Sequence, residues 1–256
     1  MKMAKEKLNQ HDEKEMDVVG HLSELRNRII VTAVFFFAFF IVGFIFIEDI
    51  YAFFAKDLGF KLTAIGPGEI IWLYFAMAGL IAVSGTIPIL AYQIWAFIKP
   101  GLTPKERRVS VSFIPAIFIL FIAGLVFGYF LFTQFIIPFL LTLNNGMFNV
   151  MFTLDKYFGF LFRVTIPIAL LFEMPIVVMF LTSLGVLTPD FMKKTRKYAY
   201  FILVVISTII TPPDFITPIL VSIPMIIIYE VSLQLSKVIY RRKLRKHEEF
   251  MREETI

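Results

Sequence analysis

Apolar residues fall into six long runs separated by short polar or basic segments, at about 29–47, 70–97, 111–141, 158–184, 198–211 and 215–235. A helix needs about 20 apolar residues to cross roughly 30 Å of hydrocarbon. The pattern therefore predicts an all-α polytopic membrane protein with six transmembrane helices. The fifth run is short: at 1.5 Å per residue it covers about 21 Å. The sixth stays apolar only from Phe215 to Tyr229, where Glu230 interrupts it. Joined by Pro212-Pro213-Asp214, these two runs predict a hairpin that stops short of the far interface or thins the bilayer around it. Pro88, Pro115, Pro138, Pro167, Pro175, Pro218 and Pro224 all fall within apolar runs. Each removes a backbone donor, so the helices should be kinked, closely associated and curved into a concave bundle.

The polar segments set the orientation. Of the 25 lysines and arginines, all but Lys56, Lys61, Lys156 and Arg163 fall before the first run or after the second, fourth and sixth. The positive-inside rule then places both termini in the cytoplasm. One membrane domain results, with an amphipathic cytoplasmic N-terminus (1–28), a six-helix bundle (29–235) and a basic cytoplasmic tail (236–256). Composition agrees: 58% of residues are apolar, 18% are charged and mean hydropathy is +0.79. The charge of +5 calls for no nucleic acid, because a basic juxtamembrane tail attracts anionic lipid heads. Residues 1–17 lack an apolar core and a cleavage site, so no secretory or transit signal is expected. Without cysteine, disulfides, thiolate catalysis and cysteine metal sites are excluded.

Two acids interrupt the basic face. Glu24 lies in His21-Leu-Ser-Glu-Leu-Arg-Asn-Arg28, and Glu106 lies in Lys99-Pro-Gly-Leu-Thr-Pro-Lys-Glu-Arg-Arg108. Together they could hold a cationic ligand. Each also has a structural reading. Glu24 can pair with Arg28 four residues on, with Leu22, Leu25 and Ile29 on the opposite, buried face. Glu106 can close a capping box with Thr103, and Leu187-Thr-Pro-Asp190 offers a second Thr cap followed by Pro. A third acid, Glu173, lies about two residues from the middle of the fourth run, with apolar neighbours at helical spacing. A carboxylate at that depth should be protonated, hydrated or partnered from outside its own helix. Arg163, nearer the outer end, is expected to snorkel. His11, His21 and His247 form no metal spacing, and no P-loop, GxSxG, GxGxxG or HExxH occurs, so neither an enzyme nor a bound metal or cofactor is expected.

Four motifs in order, HLSELRNR, AYQIWAFIKPGLTPKERR (91–108), LFEMP (171–175) and TPPDFITPILVSIPMIIIYE (211–230), resemble the TatC family, the signal-peptide receptor subunit of the twin-arginine protein translocase. The resemblance implies a cytoplasm-facing site for the paired arginines of a signal peptide. It also implies export of folded proteins driven by the proton-motive force, in a bacterial cytoplasmic membrane. Single-span partners of the TatA/TatB type, and homo-oligomers within a larger complex, would follow. Glu24 and Glu106 match the two acids of the peptide site, with Leu25, Arg26 and Arg108 alongside. Glu173 matches the acid behind the concave face, and Thr211, Pro213 and Asp214 match the outer hairpin. Pro218 stands where members can carry a polar residue. A proton-coupled secondary transporter using Glu173 as carrier is the rival reading; it needs a repeat symmetry that the sequence does not show.

Overall fold

The computed structural model describes residues 2–56, 58, 60–101, 107, 111–143, 151–212 and 214–253, with side chains described for 20 and within 22–245. The order is α1 (Lys2–Ile45), α2 (Ile47–Ala55), α3 (Pro67–Ile98), a 3-10 turn (Lys99–Gly101), α4 (Phe113–Leu131), a π turn (Phe132–Ile136), α5 (Ile137–Leu143), α6 (Leu154–Phe172), α7 (Met174–Leu184), α8 (Pro189–Ile210) and α9 (Thr217–Glu253). Among the described residues there is no strand, only an isolated bridge between Thr63 and Thr153.

Among the described residues five stretches are long and apolar enough to cross a membrane: Leu22–Ile45, Pro67–Ile98, Phe113–Leu143, Leu154–Leu184 and Thr217–Arg245. The expected fifth run is not among them. It forms the second half of α8, whose first turns carry Lys193, Lys194, Arg196 and Lys197. The basic half is thus helical as well, and α9 likewise continues as one helix through the basic tail.

Pro88, Pro167 and Pro224 lie inside helices that continue through them, whereas Pro138 and Pro175 sit at changes in the helical ladder. Pro138 lacks an N–H, and just before it the ladder widens to a π turn in which Ile137 donates to Phe132 O. The fourth run breaks at Glu173: its N–H donates to Leu170 O at 3.2 Å, and α7 restarts with Pro175 in its first turn. Thr188 caps α8, its Oγ accepting from Phe191 N at 3.3 Å with Pro189 at the first helical position. Gly185 ends α7 with φ +82°, and Val186 N returns to Leu181 O.

Without water to drive helices together in lipid, small residues that let backbones approach are the main packing device. Gly124 and Gly128 of α4, four apart, meet α6: a Cβ built on Gly124 would lie 2.6 Å from Ala169 Cα, and one on Gly128 would lie 2.9 Å from Thr165 Cα. This seam leads toward a buried aromatic group in which Phe132 meets Tyr157 and Phe160 edge-on, and Tyr157 meets Phe158. The bridge lies beside it. Thr63 N donates to Phe152 O at 2.9 Å and Leu154 N to Thr63 O at 3.1 Å, while the rings of Phe60 and Phe152 stack 4.5 Å apart. The loop before α3 is thereby tied to the start of α6, closing one end of the molecule.

At the other end α7 packs on α9 through a buried hydrogen bond between Thr182 and Ser236, and Lys243 Nζ donates to Ser183 O at 3.0 Å. α8 is fixed to α9 by Glu230, which accepts from Arg196 Nε at 2.7 Å and from the Tyr200 hydroxyl. Tyr229 OH adds a bond to Met192 O at 2.8 Å. The hairpin turn is capped by Asp214, whose Oδ1 accepts from Ile216 N and whose Oδ2 accepts from Thr217 Oγ1.

Candidate functional site

The C-terminal end of α3 gathers two motif segments that lie far apart in sequence. From α1, Arg28 reaches across with three donor groups. Its Nε donates to Glu24 Oε1 at 3.1 Å, its Nη1 to Gln93 Oε1 at 3.1 Å and its Nη2 to Ala96 O at 3.1 Å; Nη2 also pairs with Glu24. From the loop after α3, Arg107 Nη2 donates to Lys99 O at 3.2 Å. The last carbonyls of a helix lack intrahelical donors and carry partial negative charge, so guanidinium groups settle there. Lys99 also lies over the Trp95 ring, 5.3 Å from its centroid.

The expected Glu24–Arg28 pair is present, half-buried, and doubles as a clamp between α1 and α3. Leu22, Leu25 and Ile29 do not form a buried face: they are 60%, 38% and 60% exposed. Leu25 and Ile29 instead line an apolar cavity of about 540 Å³ together with Arg28, Phe36, Leu90 and Gln93. Arg26 is exposed. Glu106 and Arg108, with the Thr103 capping box, lie outside the described residues, as does Pro213 of the hairpin.

Glu173 occupies the break between α6 and α7. Both carboxyl oxygens are buried without a hydrogen-bond partner among the described residues. They face a second apolar cavity, of about 380 Å³, lined by Leu90, Ile94, Ile117, Val177 and Phe180. Leu90 and Ile94 line both cavities, so the last turns of α3 separate the Glu24 side from the Glu173 side. Thr211 ends α8 with its hydroxyl on Ser207 O at 2.9 Å, and Asp214 caps α9, so both hairpin residues that are described hold the turn.

Three participants escape a reading of the sequence. Gln93, an interhelical acceptor for Arg28, sits in the AYQIWAF segment as the one polar amide amid apolar residues, which was the available signal. Arg196 and Glu230 face each other from neighbouring helices; an acid interrupting a run opposite a basic residue at a similar depth could have suggested the pair. Among the described residues no group of acids and histidines could hold a metal ion.

Comparison with known proteins follows the same residues. The family model described as Sec-independent protein translocase protein (TatC) matches residues 20–224. The chain is 48% identical over 235 residues to Sec-independent protein translocase protein TatCd of Bacillus subtilis (strain 168), covering 92% of this chain and 97% of that one. It is 38% identical to Sec-independent protein translocase protein TatC of Halalkalibacterium halodurans, covering 95% and 97%. A crystal structure of the twin arginine translocase receptor TatC is similar with a TM-score of 0.73 at 30% identity, over 86% of this chain and 99% of that one. With a family model matched over residues 20–224, relatives at 38–48% identity over almost their whole length and a solved structure of the same fold, this chain belongs to the TatC family of Sec-independent protein translocase proteins.

Proposed function

We propose that the chain receives twin-arginine signal peptides at its basic end and organises export of folded proteins driven by the proton-motive force. The observation that carries this reading is the convergence of Arg28 with Glu24, and of Arg107, on the end of α3. Two acid-bearing segments are thereby drawn to one edge. A guanidinium donates two parallel hydrogen bonds to a carboxylate, so a pair of arginines asks for a pair of acids on one face. Glu24 supplies one, its rotamer held by Arg28; Glu106, next to Arg107, supplies the other. Leu25, Arg26 and Arg108 flank them, and the apolar cavity behind Leu25 accommodates the hydrophobic segment of such a peptide.

In this reading α8 makes a sixth, short crossing and both termini lie in the cytoplasm, since the basic residues cluster at the α3 C-terminal and α8 N-terminal end. Glu173 offers an unpaired carboxyl to water or to a polar group of a small TatA/TatB-type helix docking against the cavity. Several copies then assemble with those partners in a bacterial cytoplasmic membrane. A secondary transporter finds less support: apart from Glu173 and the Trp95 indole, the described residues that line this cavity are apolar and offer a small solute little to coordinate it.

The test is peptide binding by the purified chain. An Arg-Arg signal peptide should bind at least about tenfold more tightly than its Lys-Lys twin, because lysine forfeits the bidentate geometry. Glu24→Gln and Glu106→Gln should each weaken the Arg-Arg peptide, and salt should weaken binding to the unaltered chain. Equal affinity of the three proteins for that peptide would refute the assignment.

A further inference from the structure

At the end opposite the Glu24 cluster lies an open cleft of about 1020 Å³ between α6, the start of α3 and the end of α8. Trp72, Phe160, Ile166 and Ile209 give it apolar walls, and Asp155, Lys156 and Arg163 give it charge. Asp155 is already engaged by Lys156 at 3.5 Å. Arg163 is exposed, and no hydrogen-bond or ion-pair partner is found for it among the described residues. The cleft thus carries one positive charge in excess.

The depth of Arg163 makes that excess consequential. Leu154–Leu184 is 31 residues long, about 46 Å, so it overshoots a 30 Å hydrocarbon core by roughly 8 Å at each end. Arg163 lies nine residues into α6, about 14 Å along the axis, and therefore about 6 Å below the hydrocarbon edge. An extended arginine side chain spans that distance and brings its guanidinium to the hydrocarbon edge, beneath the lipid phosphates. Thr211 and Pro212 line the same cleft at the end of α8. The polar turn at that depth lets head groups and water descend toward the cation.

We infer that this cleft is a binding site for an anionic phospholipid, with the phosphodiester on Arg163 and Lys156 and an acyl chain along Trp72, Phe160 and Ile166. The single charge in excess selects an anionic head group, which it neutralises, over a zwitterionic one, which leaves it uncompensated because Lys156 already engages Asp155. The walls select a lipid over a free anion. The proposed orientation decides only which leaflet supplies the lipid, so the site and the receptor reading can fail separately.

Trp72 gives the readout. The chain has two tryptophans, so Trp95→Phe leaves Trp72 as the single indole, in the cleft wall. The purified full chain is reconstituted in symmetric phosphatidylcholine vesicles containing phosphatidylglycerol brominated in the upper acyl chain, or brominated phosphatidylcholine at the same fraction. Phosphatidylglycerol should quench Trp72 with about fivefold higher apparent affinity, the ratio that one basic side chain near an anionic surface supplies. The preference should disappear in Arg163→Gln, persist in Arg163→Lys and survive Lys61→Gln. Equal quenching by the two lipids in the Trp95→Phe protein overturns the proposal whether or not Arg163→Gln folds. So does an unchanged preference in Arg163→Gln, or full competition by millimolar inorganic phosphate, which would mark a site for free anions.

Discussion

The α4–α6 and α1–α3 seams both rely on glycine, yet the glycines meet different things. On α4, a Cβ at Gly124 or Gly128 would strike Ala169 Cα or Thr165 Cα, backbone atoms that no rotamer change can move. On α1–α3, Gly43 meets Ala78 Cα at 3.1 Å near the closed end, but Gly85, further toward the basic end, meets only the ring of Phe39. Beyond Gly85 the pair is held by Arg28 through side-chain bonds. One seam meets backbone at both of its glycines, and the other passes from backbone contact at Gly43 to contacts made by the Phe39 and Arg28 side chains toward the end where the receptor function is proposed. Side chains can be rearranged where backbones in contact cannot, so the two seams should answer substitution differently.

The sharpest way to break that contrast is to overfill both seams. Gly124→Leu should cost about 3 kcal/mol or abolish folding, because the backbones must separate. Gly85→Ala should cost less, about 1–2 kcal/mol, because the Phe39 ring that it meets at 2.7 Å must be displaced but belongs to a side chain and not to backbone. Thermal unfolding in detergent, with size-exclusion profiles, reports both; comparable losses would erase the distinction. Next in size, Arg28→Gln should destabilise by about 2 kcal/mol, leaving Glu24, Gln93 and Ala96 O without their donor. Arg28→Lys should recover only part of this, since an ammonium cannot serve three acceptors placed for a guanidinium fork.

A smaller effect on stability and a larger one on function are expected at Glu173. Its carboxyl makes no hydrogen bond among the described residues, so Glu173→Leu should change stability by less than about 1 kcal/mol while abolishing partner co-purification and folded-cargo export. Glu173→Gln should retain most of both, and peptide binding should survive in each. Full export by the Leu variant would reduce Glu173 to a tolerated acid. The smallest perturbation concerns α8–α9. Cysteines at Ile209 and Phe215, 78% and 93% exposed, should react with membrane-impermeant reagents from outside, unlike one at Ile119, 63% exposed in the middle of α4. Inertness of all three would mean that the hairpin reaches as deep into lipid as a full-length pair.

The long apolar runs announced the helices because twenty apolar residues have few other fates. Thr188, Pro189 and Pro138 marked local geometry correctly, since capping and the missing N–H act within a turn. What escaped depends on side chains meeting across helices. Glu24 to Arg28 was legible as a helical pair, but nothing local says that Arg28 also reaches Gln93 and Ala96. Nor does the local sequence say which positions of α1 the other helices cover, and Leu22 and Ile29 are exposed against expectation. Gly124 and Gly128 at four-residue spacing carried a legible packing signal, though not the identity of the partner helix. The fifth run showed its shortness, but its apolar length could not reveal that the basic residues before it continue the same helix.

The bridge between Thr63 and Thr153 has a consequence for biogenesis. It joins positions roughly ninety residues apart, enclosing α3, α4 and α5 in a loop fastened by backbone. At ribosomal rates of about 5–20 residues per second, that loop stays open for roughly 5–20 s after residue 63 has been made. The bridge needs residue 154, and the α6 positions Thr165 and Ala169 that receive Gly128 and Gly124 are made only after it, so the backbone fastening is available before the glycine seam that it helps to align.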